Sequence, residues 1–161
     1  MRIIRGFFYL VILLAVAVGA LFVGARFNDG PIAIVPGGPL VAGTMMEDPV
    51  LDWSFMTDVN EIQMQLDYQN TSRTVWIVVH DNKAFIPCSQ SFPPGKTWHR
   101  AALENGAALI RHDGAKYPVS LKRLEDEALS AAVGSIATEK YATPPGGGEV
   151  WFFALGHRTL S

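Results

Sequence analysis

Arg73-Thr74-Val75-Trp76-Ile77-Val78-Val79-His80-Asp81-Asn82-Lys83-Ala84-Phe85-Ile86 opens the segment, continuing to Arg123, whose reading decides the fold. Two apolar runs rich in β-branched and aromatic residues flank the short polar link His80-Asp81-Asn82, which predicts a hairpin. A second pair repeats the plan: Ala107 to His112 and Ala115 to Leu121 lie on either side of Asp113-Gly114. That dipeptide suits a two-residue turn with positive φ at both central positions. Between the hairpins, Pro87, Pro93 and Pro94 interrupt the sheet pattern and introduce a short helix carrying Lys96, His99 and Arg100.

Outward from this segment, Ile62, Met64 and Leu66 alternate with Gln63, Gln65 and Asp67, the period of a half-buried strand. Trp53 and Phe55 just before it are expected anchors of the core. Downstream, Ala128, Leu129, Ala132, Val133 and Ile136 form one helical face between Leu124 and Lys140, with Glu125, Asp126 and Glu127 placed to meet the positive end of the helix dipole. Pro144-Pro145-Gly146-Gly147-Gly148 should end that region, and Val150 to Leu155 reads as a last strand. About six or seven strands with one short and one longer helix make an α+β domain, most simply a small antiparallel split β-barrel, since closure removes exposed edges.

The amino-terminal end has a different composition. Arg2 and Arg5 precede an uncharged apolar stretch from Gly6 to Ala25, closed by Arg26. A helix of that length spans about 30 Å, the thickness of a bilayer's hydrocarbon core. Residues 1–26 are therefore expected to be a membrane anchor, with a cleavable signal peptide as the alternative because Val23-Gly24-Ala25 offers small residues at the cleavage spacing. Basic residues ahead of the helix place the amino terminus in the cytoplasm and the globular part outside it, as a single-pass protein of the cytoplasmic membrane. Residues 27–51, rich in Pro and Gly, read as a linker or extended arm, within which Ile32-Ala33-Ile34-Val35 could pack on the domain. The remaining residues 52–161, about 110, suit one small domain.

Removing Arg2 and Arg5 from the 13 basic residues leaves 11 against 15 acidic ones, a balance that argues against nucleic acid as a partner. The positive charge is concentrated: residues 73–123 hold eight basic and three acidic groups. That concentration reads either as a solvated face or as a surface for an anionic small molecule or nucleotide cofactor. Metal ligation is not expected, because His80, His99, His112 and His157 lack ligand spacing and Cys88 is the lone cysteine. Basic side chains in the first turn of a helix oppose its dipole, and a bound anion would remove the conflict. Lys96 and Arg100, joined by Ser89 and by Arg73 on a neighbouring strand, are the candidate anion ligands; the alternative is ordinary surface positions. Trp76 and Trp98 are candidate walls for a planar ring or, alternatively, core residues. Tyr141 suits a pocket rim.

With Ser72-Arg73 opening a strand, Phe85-Ile86-Pro87-Cys88-Ser89 closing a hairpin, Lys96-Thr97-Trp98 leading a helix, Asp113-Gly114 in the second hairpin and Tyr141 after the long helix, the chain resembles the FMN-binding split β-barrel superfamily, the pyridoxamine-phosphate-oxidase-like fold, nearest its deazaflavin-dependent nitroreductase-type branch. The resemblance runs from about Asp52 to Arg158 by order of elements. It implies a membrane-tethered oxidoreductase binding FMN or a deazaflavin, with Arg73, Ser89, Lys96 and Arg100 near the phosphate, Trp76 and Trp98 near the ring, and a homodimer among the expected assemblies. His99 and the Ser91-Phe92-Pro93-Pro94-Gly95 insertion depart from the family pattern. No protein acid or base is demanded, because the cofactor performs the redox step; no catalytic residue and no substrate is assigned. The competing expectation is a cofactor-free extracytoplasmic binding or accessory module on the same fold.

Overall fold

A computed structural model of the chain describes residues 2–142 and 148–159. The expected Pro144 to Gly147 break lies outside them. The elements run α1 (Arg2–Ala25), β1 (Thr44–Met45), a 3-10 turn (Ser54–Met56), β2 (Glu61–Leu66), β3 (Ser72–Trp76), β4 (Val78–His80), β5 (Lys83–Ser89), α2 (Trp98–Glu104), β6 (Ala107–His112), β7 (Ala115–Arg123), α3 (Glu127–Tyr141) and β8 (Val150–His157). The architecture is α+β around an antiparallel sheet.

Both hairpin turns form where the sequence places them. Asp81 and Asn82 take φ of 48° and 61°, and Asp113 and Gly114 take 46° and 73°, so each turn has two left-handed residues whose twist matches the flanking strands. The run from Thr74 to Val79, however, is not one strand of one hairpin. Its first part, β3, pairs with β2, with Met64 opposite Arg73 and Glu61 opposite Trp76. Its second part, β4, pairs with β5, with Val78 opposite Phe85. Ile77 belongs to neither ladder.

This break closes the sheet. Strands neighbour one another in the order β3-β2-β6-β7-β8-β5-β4. The two ends of that path are joined covalently through Ile77, so the sheet curls round until its first and last strands are one bent segment. Inward-facing residues alternate along the strands as the pleat requires: Ile62, Met64 and Leu66 from β2, Ala84, Ile86 and Cys88 from β5, Ala108 and Ile110 from β6, Val119 and Leu121 from β7, Phe153 and Leu155 from β8. Trp98 and Ala102 of α2 join this interior. Of the expected anchors, Trp53 is buried, whereas Phe55 stays half exposed and stacks on Trp53 with ring centroids 5.8 Å apart.

Outside the barrel, α3 covers β4, β5 and β8 through a second apolar cluster of Val78, Phe85, Val133, Ala137 and Phe152. Asp126 caps α3, accepting the Leu129 N–H at 3.0 Å, with Glu127 in the first turn and Lys140 in the last.

The stretch from Arg26 to Met46 folds onto the barrel. Thr44 and Met45 run parallel to Ala115 and Lys116, and Gly37 bridges Ser72. A Cβ at Gly37 would lie 1.7 Å from the Gly30 carbonyl oxygen, so only glycine permits that crossing. Arg111 clamps the arm. Its Nη1 donates to both Asp29 carboxylate oxygens at 2.9 Å and to the Ala42 carbonyl at 3.1 Å, its Nη2 to the Asp29 carbonyl at 3.0 Å, and its Nε to Gln63 Oε1 at 2.6 Å. Lys116 Nζ adds a bond to the Val41 carbonyl at 2.6 Å.

Candidate functional site

Ile77 leaves a buried N–H and C=O unpaired by any strand, and α3 answers them. The Tyr141 hydroxyl accepts the Ile77 N–H at 3.1 Å and lies 2.7 Å from both the Asn60 and Ile77 carbonyls. A phenol has one proton to donate, so the second carbonyl needs another donor. Lys140 Nζ supplies it, reaching the Ile77 carbonyl at 3.2 Å as well as those of Thr57 at 2.7 Å and Val59 at 2.6 Å. Burial pushes the Tyr141 phenol up to about 12, so it stays protonated at any ordinary pH. Burial also lowers the Lys140 ammonium from its usual value.

The same tyrosine builds a wall. Its ring lies 4.2 Å from that of Trp76, with an interplanar angle of 8°. The pair lines a cleft of about 710 Å³ with Pro87, Val150 and Phe152 from the sheet and Ala131, Gly134, Ser135 and Thr138 from α3. Small residues on the helix leave the space open: a Cβ at Gly134 would already be 3.8 Å from the Phe152 ring. Volume and lining fall within the range of small-molecule sites, mostly apolar with a few polar groups.

The six residues singled out by sequence divide between this cleft, its margin, the barrel interior and the exposed surface. Trp76 lines the cleft, stacked on Tyr141. Ser89 lies on the same face of β5 as Pro87, two residues on, at the cleft's margin. Its Oγ accepts the Phe92 N–H at 3.2 Å and lies 3.2 Å from Ser91 Oγ. Lys96 precedes α2 instead of lying in it, and its Nζ donates to the Ser89 and Phe92 carbonyls. Arg73 faces the barrel interior alongside Val75, donating from Nη2 to Gln69 Oε1 at 2.9 Å while its buried Nε has no hydrogen-bond partner. Trp98 is a core residue packed on Phe153, with centroids 5.3 Å apart. Arg100 is exposed on α2.

Charge around Cys88 links some of these groups. Burial pushes its thiol up to about 11, although Lys96, a hydrogen bond from Gln90 and Arg73 each pull it down. The thiol is therefore protonated and a poor nucleophile at neutral pH. His99 is buried between Trp98 and Trp151, with ring centroids 6.3 and 5.6 Å away and no hydrogen-bond partner at Nδ1. Burial lowers its pKa, and Lys96 and Arg100 lower it further. A second cleft of about 570 Å³ lies between the arm and the β2 and β6 strands, where Arg111 is already committed to Asp29.

Sequence reasoning found Trp76 and Tyr141 singly but missed their contact. They lie far apart in the chain, and the signal that joins them, a strand residue needing two partners, exists only once β3 and β4 separate. Gly134 and the other small residues of α3 were read only as part of a helix.

Compared with known proteins, the chain matches no family model and no curated protein. Among solved structures it is similar to a Listeria innocua protein provisionally designated a pyridoxamine 5'-phosphate oxidase, at 10% identity and a TM-score of 0.43, covering 59% of this chain and 80% of that one. A likeness of that size carries no activity across.

Proposed function

We propose that this protein is a membrane-tethered module that binds a flat heteroaromatic cofactor, the ring system of FMN or a deazaflavin, in the cleft walled by Trp76 and Tyr141, and serves as an oxidoreductase through it. The observation that carries the reading is the cleft itself: the parallel Trp76–Tyr141 stack on one side, Phe152 beside the small residues of α3, and a volume suited to a planar ligand. A flavin-type ring supplies hydride transfer when bound, so the chain's own task is to seat the ring and exclude water from it. Neither the Ser89 nor the Lys96 side chain lines the cleft, but Ser89 is paired with Val150, which does, and Lys96 reaches the Ser89 carbonyl. Two of the three Lys96 N–H donors go to chain carbonyls, which leaves one for a phosphate oxygen.

Tethering rests on the helix Ile4–Ala25, which is long and apolar enough to cross a membrane and is not buried against the protein; a signal sequence passes the same test. Arg2 and Arg5 favour the orientation with the amino terminus inside.

A second reading, a cofactor-free binding or accessory module, is favoured by one observation. Arg100 and Trp98 point to solvent and core, so neither lines the cleft. Titrating the purified full-length protein with FMN and riboflavin separates the two. The cofactor reading expects both to bind, FMN about tenfold tighter because a charge-assisted phosphate contact contributes more than 1 kcal/mol. If neither flavin nor a deazaflavin binds, the cofactor-free module is the correct reading.

A further inference from the structure

The Ile32–Val35 turn is held by paired backbone bonds, with Val35 partly buried against the protein and Ile34 at the tip presented to nothing in it. Ile32 N–H donates to the Val35 carbonyl at 3.0 Å and Val35 N–H to the Ile32 carbonyl at 2.9 Å, with Ala33 in the left-handed region at φ 50°. Thr74 Oγ1 pins the turn to the barrel through the Ala33 carbonyl at 2.7 Å. Ile34 at its tip is 88% exposed, and Phe27, just after α1, is 87% exposed. Covering such a side chain is worth about 1.5–3 kcal/mol, a gain open to any partner that buries both.

The partner is indicated by what the turn is fastened to. Gly38 N–H donates to the Ala25 and Asn28 carbonyls at 3.2 and 3.0 Å, and Ala25, the last residue of α1, is 1% exposed. The end of the apolar helix is thus part of the same packed unit as the arm. Ile34 is four residues from Gly38, so its α-carbon lies within about 14 Å of it even if the chain were fully extended. The interfacial layer on each side of a bilayer is about 5–8 Å deep, within reach of a side chain so placed. Electrostatics permits the approach: residues 30–46 contain no charged side chain, Asp29 is paired with Arg111, and Arg26 supplies a positive charge for lipid headgroups.

From this we infer that the Ile32–Val35 turn and Phe27 form a second membrane contact, seated in the interfacial layer of the bilayer that α1 spans, and fix the barrel's tilt on the lipid surface. The inference rests on α1 being a retained span.

The test uses full-length protein with Cys88→Ala in lipid nanodiscs, carrying one fluorophore at Ile34→Cys, at Leu13→Cys within α1, or at Leu51→Cys. Leu51 is exposed and stands two residues before Trp53, whose N–H bonds the Asn82 carbonyl in the β4–β5 turn, whereas the turn carrying Ile34 is pinned to Thr74 of β3, so the two probes sit on different elements. With headgroup-level nitroxide lipid, the Ile34 probe should be quenched at least twofold more than the Leu51 probe, while acyl-chain nitroxide quenches the Leu13 probe. Quenching at Leu13 with none at Ile34 overturns the second contact and leaves the span intact. No quenching at Leu13 overturns the span and the contact with it. An Ile34 probe shielded only as protein concentration rises, without lipid quenching, means that a second copy covers the turn, which also overturns the proposal.

Discussion

Arg111 directs both terminal nitrogens of its guanidinium at the arm, and its main partner Asp29 is 82 residues away in the chain. Replacing it with Met would leave the Asp29 carboxylate and the Ala42 carbonyl without that donor, at a cost of about 1–3 kcal/mol. The expected result is faster proteolysis confined to residues 27–46, with a smaller fall in the urea midpoint of the barrel. Although partial burial pushes upward, the Val41 and Ala42 amides and Arg111 hold the Asp29 carboxyl below its usual 3.8. A lowered carboxyl stabilises the folded state above its unfolded value, and that contribution is lost as pH falls through the folded one. His99 has the same sign in another window. Its lowered pKa means that the unfolded chain takes up the proton first, so stability should decline as pH drops below about 6.5. Thermal melts at neutral and mildly acid pH should show that decline in the parent and less of it in His99→Phe. Nothing in the sequence pointed to either role. Arg111 was one of eight basic groups in the central segment, and its purpose depends on where the arm returns.

At the scale of elements, the turns were legible and the break was not. Asp81-Asn82 and Asp113-Gly114 declare themselves because positive φ is a local property of those residue types. The division at Ile77 is invisible in an unbroken β-branched and aromatic run, since it is imposed by barrel closure and by a donor and acceptor arriving from α3. The short helix shows the reverse case: Lys96 looked like a first-turn cation set against the dipole, but the helix begins at Trp98, and the ammonium is satisfied by loop carbonyls instead. Tyr141→Phe tests the latch. It keeps the ring stacked on Trp76 but strands the Ile77 N–H, and should cost about 1–3 kcal/mol in denaturant unfolding, where a surface tyrosine would cost almost nothing.

Over the whole molecule, the concentration of positive charge in residues 73–123 has an internal use. Arg111 and Lys116 hold the arm, Lys96 holds its loop, and Arg123 lies 3.9 Å from the centre of the Trp151 ring. Four of the eight cations in that stretch are therefore turned toward the chain's own oxygens and rings, while Lys83, Arg100 and Lys122 stay exposed. The cleft beside α3, mostly apolar and walled by Trp76 and Tyr141, is the space proposed for a ligand. The measurement that tests the account most directly is a titration of the full-length protein with FMN, followed by tryptophan fluorescence, in the parent and in Gly134→Leu. Leucine there would fill the cleft without touching Ser89, Lys96 or the Tyr141 latch. The account predicts saturable quenching in the parent and at least a tenfold weaker response in the variant, with the unfolding midpoint little changed; equal binding by both proteins would contradict it.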